Sequence, residues 1–202
     1  MLPGGQLSLF GHCVPECDRR FGRLQHVPLE DGAWLEIVPG WLAGDASLFE
    51  LLRGSVRWQA ESRRMYDREV DVPRLHAALE GSTLHPVLDE MRAALDARYG
   101  TAFVRTSAAL YRDGTDSVAW HGDFPARRML TDTFVATVSL GAPRTFLLRR
   151  KGGGPSRAWS IGRGDLLVMG GACQRTHEHC VPKVASAAPR IALMYRPIWD
   201  QA

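Results

Sequence analysis

The stretch His121-Gly122-Asp123 places a histidine and a carboxylate two residues apart. In an extended backbone, residues two apart point to the same face, so both side chains can reach one metal ion. A second imidazole is available far downstream, at His177 or His179. Two imidazoles and one carboxylate that leave coordination positions open form the facial triad that holds non-haem Fe(II). These residues therefore predict an iron site.

Length and composition set limits on the architecture around this site. The chain has 202 residues, of which 45% are hydrophobic and 23% are charged, so it can bury one sizeable core but is short for two. No apolar run reaches the length of a membrane span, and the first residues lack the charged start and apolar middle of a secretory signal. We therefore expect one cytoplasmic domain with reduced cysteines.

The positive charge is carried almost entirely by arginine, since lysine occurs only at positions 151 and 183, and the net charge is +3. The planar fork of arginine binds phosphate bidentately. Arginines cluster at positions 63–64, 127–128 and 149–150. Such clusters fit either a nucleic-acid backbone or a solvated face, and the composition leaves both interpretations open.

Residues 1–26 contain Gly, Pro and Cys with little periodicity, which predicts an irregular N-terminal arm. His12, Cys13 and Cys17 lie close together in this arm, but they form an incomplete tetrahedral set for zinc. We therefore interpret residues 1–26 as a mobile tail that contains thiols. The domain is then residues 27–202.

The first half of the domain, residues 27–100, is predicted to combine helices with a strand-like segment. Residues 33–38 are a predicted strand. Asp45 is the predicted N-cap of a helix that ends at Gly54, and a second helix with an apolar stripe is predicted from about residue 86 to residue 99. The Arg-rich segment 56–75 has no clean period and indicates a pair of short strands or a flap.

After residue 100 the pattern changes to short β-like runs separated by Gly- and Pro-containing turns. The predicted strands are 103–111, 118–121, 134–140, 145–150, 157–161, 165–169, 178–181 and 190–196. Eight short strands with regular turns indicate a double-sheet jelly roll, the predicted core over residues 101–197. The predicted fold class is mostly β with flanking helices (α+β), and both helices are expected to pack against one sheet.

A series of short motifs follows in fixed order through these strands. The motifs are Tyr111-Arg112-Asp113-Gly114, Trp120-His121-Gly122-Asp123, Val138-Ser139-Leu140-Gly141, residues 164–171, His179-Cys180-Val181-Pro182 and residues 190–196. This series resembles the AlkB family of Fe(II)/2-oxoglutarate-dependent dioxygenases, with a weaker match at Val72-Pro73-Arg74. The resemblance implies a double-stranded β-helix (jelly-roll) core, Fe(II), 2-oxoglutarate and O2 as co-substrates, and oxidative removal of alkyl groups from nucleobases.

The resemblance also implies roles for individual residues. His121, Asp123 and His179 correspond to the catalytic iron ligands, because the last ligand of the family stands just before x-Val-Pro. His177 is then expected to pack beside the site or to support it from outside the ligand set.

Tyr111, Arg190 and Arg196 resemble the residues that bind 2-oxoglutarate in this family. A guanidinium can hold a carboxylate bidentately, a phenol can donate a hydrogen bond, and the six-residue spacing places both arginines on one face. Ala109 and Ala192 stand where better-known members have asparagine. Two amide contacts to the co-substrate are therefore expected to be missing.

The expected substrate is alkylated DNA, which the chain would repair as a monomer. Arg64, Tyr66 and Arg74 fall where similar enzymes carry a nucleotide-recognition lid, and Tyr66 could stack on a flipped base. Pro125 replaces an acidic residue that contacts the base in relatives. Alternatives therefore remain: the same chemistry on RNA, protein or a small molecule, or a non-catalytic nucleic-acid-binding module.

Overall fold

The strands after residue 100 follow their predictions closely. A computed structural model of the chain describes residues 14–65, 68–81 and 83–199, of which 61–65 and 68–72 are described by their backbone alone. The strands are β1 (Glu16–Cys17), β2 (Gln25–Pro28), β3 (Ala33–Val38), β4 (Leu42–Ala43), β5 (Gln59–Met65), β6 (Arg68–Ala78), β7 (Arg105–Tyr111), β8 (Val118–His121), β9 (Val135–Gly141), β10 (Arg144–Arg150), β11 (Ser156–Ile161), β12 (Asp165–Gly171), β13 (His177–Val181) and β14 (Arg190–Arg196). The helices are α1 (Asp45–Ser55), α2 (Val87–Tyr99) and α3 (Cys173–Thr176), with one 3-10 turn at Ala126–Arg128.

The strands from β7 onward form a jelly roll. In the described part of the chain, the major sheet has the order β2-β3-β12-β9-β14-β7-β6-β5 and the minor sheet has the order β11-β10-β13-β8. The eight predicted core strands therefore divide equally between two antiparallel sheets, as a jelly roll requires. Their observed limits agree with the predicted limits to within two residues, which confirms the predicted fold class.

The alternation of side chains along each strand separates two hydrophobic layers. On one face of the major sheet, Val138, Leu140 and Leu193 pack with residues of α1 and α2 in one core cluster. On the other face, Val135 and Met169 pack with residues of the minor sheet in a second cluster. Both helices thus support one sheet, as predicted, and the space between the two sheets is left for a site.

Helix α2 agrees with its prediction, whereas the limits of α1 do not. The N-cap of α1 is Gly44, and the Asp45 carboxylate instead accepts a hydrogen bond from the backbone N–H of Gly141 at 3.2 Å. The helix continues through Gly54 to Ser55, because the packing of its buried apolar side chains outweighs the roughly 1 kcal/mol cost of one helical glycine. Among the described residues, no helix combines the length and apolar character needed to cross a membrane.

The predicted mobile tail is wrong for its described part. Cys17 belongs to β1, which pairs with β4, and its side chain is buried. Phe21 is buried against Trp41, with 5.6 Å between the ring centroids. Sequence periodicity could not predict this because a single aromatic side chain inserted into a distant cluster leaves no repeating pattern. His12 and Cys13 lie outside the described residues.

The Arg-rich segment forms a pair of strands, which was one of the two structures predicted for it. β5 and β6 pair antiparallel, and β6 also pairs with β7, so the hairpin extends the edge of the major sheet. Arg64 lies in β5 opposite Glu69 of β6. Tyr66, the predicted stacking residue, lies outside the described residues.

Candidate metal centre and its cavity

Two strands of the minor sheet bring together three side chains that could hold a metal ion, named here the metal-ligating cluster. His121 ends β8 and pairs with His179 of β13, and Asp123 lies two residues after the end of β8. The Asp123 Oδ1 atom lies 3.5 Å from His121 Nε2 and 3.9 Å from His179 Nε2. The potential ligand atoms of these residues all lie within 4.8 Å of one another. The set predicted from sequence is thus assembled at one point in space.

Hydrogen bonds orient the residues of the cluster so that their free nitrogen and oxygen atoms can bind a metal. His121 Nδ1 lies 2.8 Å from the carbonyl oxygen of Ala119, which can only accept, so Nδ1 carries the proton and Nε2 is free to bind a metal. The backbone N–H of Asp123 donates to the Gln174 side chain at 2.7 Å. A Cβ atom at Gly122 would meet the Gln174 carbonyl oxygen at 2.9 Å, so this close approach requires glycine.

The charge states of the cluster also suit a divalent cation. Burial alone would raise the pKa of the Asp123 carboxyl, but Arg196 and the two imidazoles outweigh it and hold that pKa below its ordinary value. Burial, together with His121, lowers the pKa of His179 to about 3, so this imidazole is neutral at pH 7. An ionised carboxylate and neutral imidazoles are the forms that bind a metal, and this donor set matches the facial triad for Fe(II).

His177 lies outside this cluster, although it occupies the same strand. Its Nε2 atom is 3.7 Å from Glu30 Oε2, and its Nδ1 atom is 2.8 Å from Thr176 Oγ1. Two strand positions separate backbone atoms by about 6.6 Å, which is enough to move the imidazole to another environment. His177 lines a second cavity of about 410 Å³. This separation matches the family resemblance, which implied that His179 is the iron ligand and that His177 lies outside the ligand set.

The metal-ligating cluster lines a cavity of about 620 Å³ between the two sheets. Tyr111, Arg190 and Arg196 line the same cavity. Ala192 lies in β14 beside Ala109 of β7, and Ala192 contributes only a methyl group to the cavity wall. The residues predicted to bind iron and 2-oxoglutarate therefore share one enclosure.

Arg190 presents donors that lack acceptors within the described residues. Its side chain is 4% exposed, and its Nη2 atom donates to Ser139 Oγ at 2.8 Å, but Nε and Nη1 have no hydrogen-bond partner in that part of the chain. Burial lowers the pKa of Arg190 below its ordinary value, yet a guanidinium stays charged near neutral pH. Buried unpaired donors are costly, so this side chain fits a bound carboxylate.

Arg196 is directed at the metal-ligating carboxylate. Its Nη2 and Nε atoms lie 2.9 and 3.0 Å from Asp123 Oδ2, and its Nη1 atom donates to Ser107 Oγ at 3.1 Å. Because Asp123 Oδ1 is the oxygen that faces both imidazoles, Arg196 holds the opposite oxygen and orients the carboxylate. Arg196 contacts Asp123 and Ser107 in the structure, and the direct contact with 2-oxoglutarate that the resemblance implied stays a prediction.

Arg74 lines the cavity next to Tyr111. It is buried, donates from Nη1 to the Tyr111 hydroxyl oxygen at 2.8 Å and from Nε to His76 Nε2 at 3.0 Å. It was predicted as a substrate residue, and this position places it at the wall that also carries Arg190. His76, Ser107 and Gln174 were not identified from sequence, because no short motif marks a residue that acts by hydrogen bonding to a site residue.

A jelly roll with a His-x-Asp…His cluster in its cavity defines the class of non-haem iron oxygenases. A profile of the 2OG-Fe(II) oxygenase superfamily matches residues 43–196, and the human alpha-ketoglutarate-dependent dioxygenase alkB homolog 3 is 30% identical over 152 residues, which are 70% of this chain and 50% of that protein. The chain therefore belongs to the 2OG-Fe(II) oxygenase superfamily and is AlkB-like. The cofactor of this family is Fe(II), with 2-oxoglutarate and O2 as co-substrates.

Further relatives extend this picture. The DNA oxidative demethylase ALKBH2 of Arabidopsis thaliana is 27% identical over 192 residues, covering 74% of this chain and 61% of that protein. This chain spans about half the length of the alkB homolog 3 proteins that it matches. Among solved structures, OsALKBH1 aligns with a TM-score of 0.57 at 14% identity over 86% of this chain and 100% of that chain. An oxidoreductase of the 2OG-Fe(II) oxygenase family from Burkholderia pseudomallei aligns with a TM-score of 0.55 at 17% identity, over 83% of this chain and 85% of that chain. At these identities the solved structures support the fold.

Proposed function

We propose that this protein is an Fe(II)- and 2-oxoglutarate-dependent dioxygenase that oxidatively demethylates N-alkylated nucleobases, with alkylated DNA as its substrate. We further propose that it acts as a cytoplasmic monomer. The observation that carries the enzymatic part is the His121, Asp123 and His179 cluster inside a cavity that also presents the unpaired donors of Arg190. The similarity to a DNA oxidative demethylase supports the choice of substrate.

When bound, Fe(II) would supply, together with O2 and 2-oxoglutarate, the oxidising power to hydroxylate an N-methyl carbon. One oxygen atom of O2 would go to succinate, with loss of CO2 from 2-oxoglutarate, and the other to the methyl carbon, which would then leave the base as formaldehyde. His121, Asp123 and His179 would hold the metal through Nε2, Oδ1 and Nε2. Arg196 keeps Asp123 ionised and oriented through its other oxygen. The protein thereby fixes the ligands in place before the co-substrates bind.

Arg190 is the residue proposed to bind a carboxylate of 2-oxoglutarate. Its free Nε and Nη1 donors are the buried cationic groups that such an anion needs. Arg74 already donates to the Tyr111 hydroxyl oxygen, which leaves the Tyr111 O–H available to donate to the same ligand. These residues therefore define a polar end of the cavity for the co-substrate.

The target base must leave its helical stack to reach this cavity, because the metal-ligating residues are enclosed between two sheets. Phe146, Met169 and Val135 contribute apolar surface to the cavity wall. A flipped or single-stranded nucleotide is therefore the proposed form of the substrate. The hairpin of β5 and β6, which contains Arg64, is the proposed lid.

An anaerobic titration of the Fe(II)-loaded protein with 2-oxoglutarate, followed by aerobic assays of succinate and formaldehyde, tests this proposal. The panel comprises single- and double-stranded DNA and RNA that carry N-methylated bases, and each is matched to an unmodified strand. We expect formaldehyde and succinate in equal amounts from methylated DNA. Failure to bind 2-oxoglutarate would instead favour a non-catalytic module. Succinate formation without demethylation of any oligonucleotide would point to a protein or small-molecule substrate.

A further inference from the structure

Phe124 is a large aromatic side chain that projects from the mouth of the cavity. It follows Asp123 directly, lines the same cavity and is 57% exposed. It belongs to none of the core clusters of the described residues. More than half of its surface stays in water, and that part of the side chain contributes nothing to folding. Its position beside the proposed metal therefore calls for a binding role.

The local backbone fixes the direction of this ring. The Asp123 N–H is anchored to the buried Gln174 side chain, and the Asp123 carboxylate points into the cavity. Phe124, the next residue, both lines the cavity and is exposed to solvent. The turn that follows is closed by the N–H of Arg127, which donates to the Asp123 carbonyl oxygen at 2.8 Å. The ring is thus attached to a part of the chain that the metal-ligating cluster holds in place.

Two arginines flank the ring. The guanidinium carbons of Arg127 and Arg128 lie 5.7 and 5.1 Å from the Phe124 ring centroid. Both arginines are exposed, and within the described ranges neither forms an ion pair with a carboxylate. An exposed aromatic ring beside two uncompensated cations is the combination that binds single-stranded nucleic acid, in which bases stack and phosphates pair with guanidinium groups.

We infer that Phe124, Arg127 and Arg128 form a platform for single-stranded nucleic acid at the cavity mouth. Phe124 stacks on the base next to the alkylated nucleotide, and the two arginines bind the adjoining phosphates. This inference rests on the proposed function, because the alkylated base itself enters the cavity. The platform places part of the recognition of the nucleic acid in the segment between β8 and β9, which is separate from the predicted lid. Both DNA and RNA can supply a base and a phosphate, so the test compares the two.

The test measures binding of fluorescein-labelled single strands of about 12 nucleotides, as DNA and as RNA, each with one N-methylated base. We expect Phe124→Ala and Phe124→Leu to weaken binding by about 5- to 150-fold, the range that base-aromatic stacking supplies. Phe124→Trp should retain or strengthen binding, because its larger π-face stacks at least as well. The tighter-binding nucleic acid identifies the preferred source of the ligand.

The contribution of the two arginines is tested separately, through the salt dependence of oligonucleotide binding. Arg127→Gln and Arg128→Gln should each reduce the slope of log affinity against log salt concentration by about 0.7, as expected for one phosphate contact on a single strand. Two controls isolate the platform. Leu130→Ala removes an apolar side chain that is 90% exposed in the same segment, and Arg53→Gln removes a cation from α1, on the far face of the major sheet. Neither control should change the affinity or the slope.

The outcomes separate the platform from the proposed function. If the parent protein binds and demethylates oligonucleotides and Phe124→Ala binds them as tightly, the platform is wrong and the function stands. Equal binding by the Leu and Trp variants would also exclude stacking. A parent protein that neither binds nor demethylates any strand contradicts the proposed function and the platform together. Melting curves of all variants verify folding, and the Leu–Trp comparison remains decisive if the Ala variant fails to fold.

Discussion

His177 and His179 illustrate how the position of a histidine along a strand decides whether it can bind the metal. Both imidazoles are buried on β13, but His179 Nε2 faces the Asp123 carboxylate, whereas His177 faces Glu30 and Thr176. Burial lowers the pKa of both histidines, so neutral imidazole alone does not distinguish them. The distinction is geometric, since only His179 can share a metal ion with His121 and Asp123.

His179→Ala should therefore abolish Fe(II)-dependent succinate formation, while His177→Ala should retain most of it. The physical reason is that a facial triad reduced to two protein ligands holds Fe(II) weakly. Metal content after dialysis and succinate release are the measurements. Equal losses in both variants, or a loss confined to His177→Ala, would overturn the ligand assignment.

Arg190→Lys should weaken 2-oxoglutarate binding by about ten- to a hundred-fold. Lysine keeps the positive charge but cannot present two parallel donors to one carboxylate, and charge-assisted hydrogen bonds contribute about 1.5–3 kcal/mol. Calorimetric titration of the metal-loaded protein under anaerobic conditions measures the change. Arg163→Lys, at an exposed turn between β11 and β12, is the matched control. An unchanged affinity for Arg190→Lys would exclude its role in binding the carboxylate.

At the scale of elements, the connection from β7 to β8 positions the first metal-ligating residue. Arg112 donates to both oxygens of the buried Asp116 carboxylate at 2.8 Å. Arg144 of β10 donates to the carbonyl oxygens of Asp113, Asp116 and Pro182, at 2.8–2.9 Å. These bonds join the start of β8, the end of β13 and the start of β10. They keep His121 and His179 in register.

Asp116→Asn should lower the free energy of unfolding by about 1–3 kcal/mol at pH 7, because Arg112 loses a charged, two-oxygen acceptor. In the folded protein, burial raises the pKa of the Asp116 carboxyl, but the Arg112 side chain outweighs it and the net pKa is lowered. This contribution is therefore complete above the ordinary pKa of aspartate and is lost as the pH falls through the lowered value.

Urea melts of the metal-free protein at pH 7 and at successively lower pH measure this dependence. The stability difference between parent and Asp116→Asn should shrink below about pH 4. Asp89→Asn, on the exposed face of α2, should change stability by less than about 0.5 kcal/mol at each pH. A difference that grows as the pH falls would contradict the sign of the pKa shift.

At the scale of the whole molecule, the major sheet separates a structural layer from a functional one. Odd and even positions of β9 and β14 point to opposite faces, so Val138 and Leu193 support the helices while Thr137 and Arg196 face the cavity. Stability and chemistry can therefore be changed independently. Mutations in the helical layer should therefore lower the stability and leave the chemistry of the folded protein unchanged.

Leu95→Ala tests this separation. Leu95 of α2 is fully buried in the helical layer, and truncation of such a leucine costs about 2–5 kcal/mol. For a chain of this size the melting temperature should fall by about 5–15 °C. At temperatures where the variant is folded, its 2-oxoglutarate affinity should equal that of the parent. A selective loss of affinity without loss of stability would refute the division into layers.

The sequence by itself determined strand β3, the eight strands after residue 100, helix α2 and the metal-ligating motif. These features are local: alternation with period two marks a strand, Gly100 adopts the left-handed conformation that ends α2, and His121 with Asp123 needs only an extended backbone. The family resemblance then identified Arg190 and His179. The local features can be predicted from the sequence because their physical cause acts between residues that are close along the chain.

The tertiary structure decided which side chains meet. It separated His177 from His179, turned Arg196 toward Asp123, buried Cys17 and exposed Phe124 beside two arginines. Each of these outcomes depends on groups that are far apart in the chain or on the direction of one side chain at the end of a strand. Periodicity carries no information about either, because the energy of a contact depends on distances that only the packed sheets define.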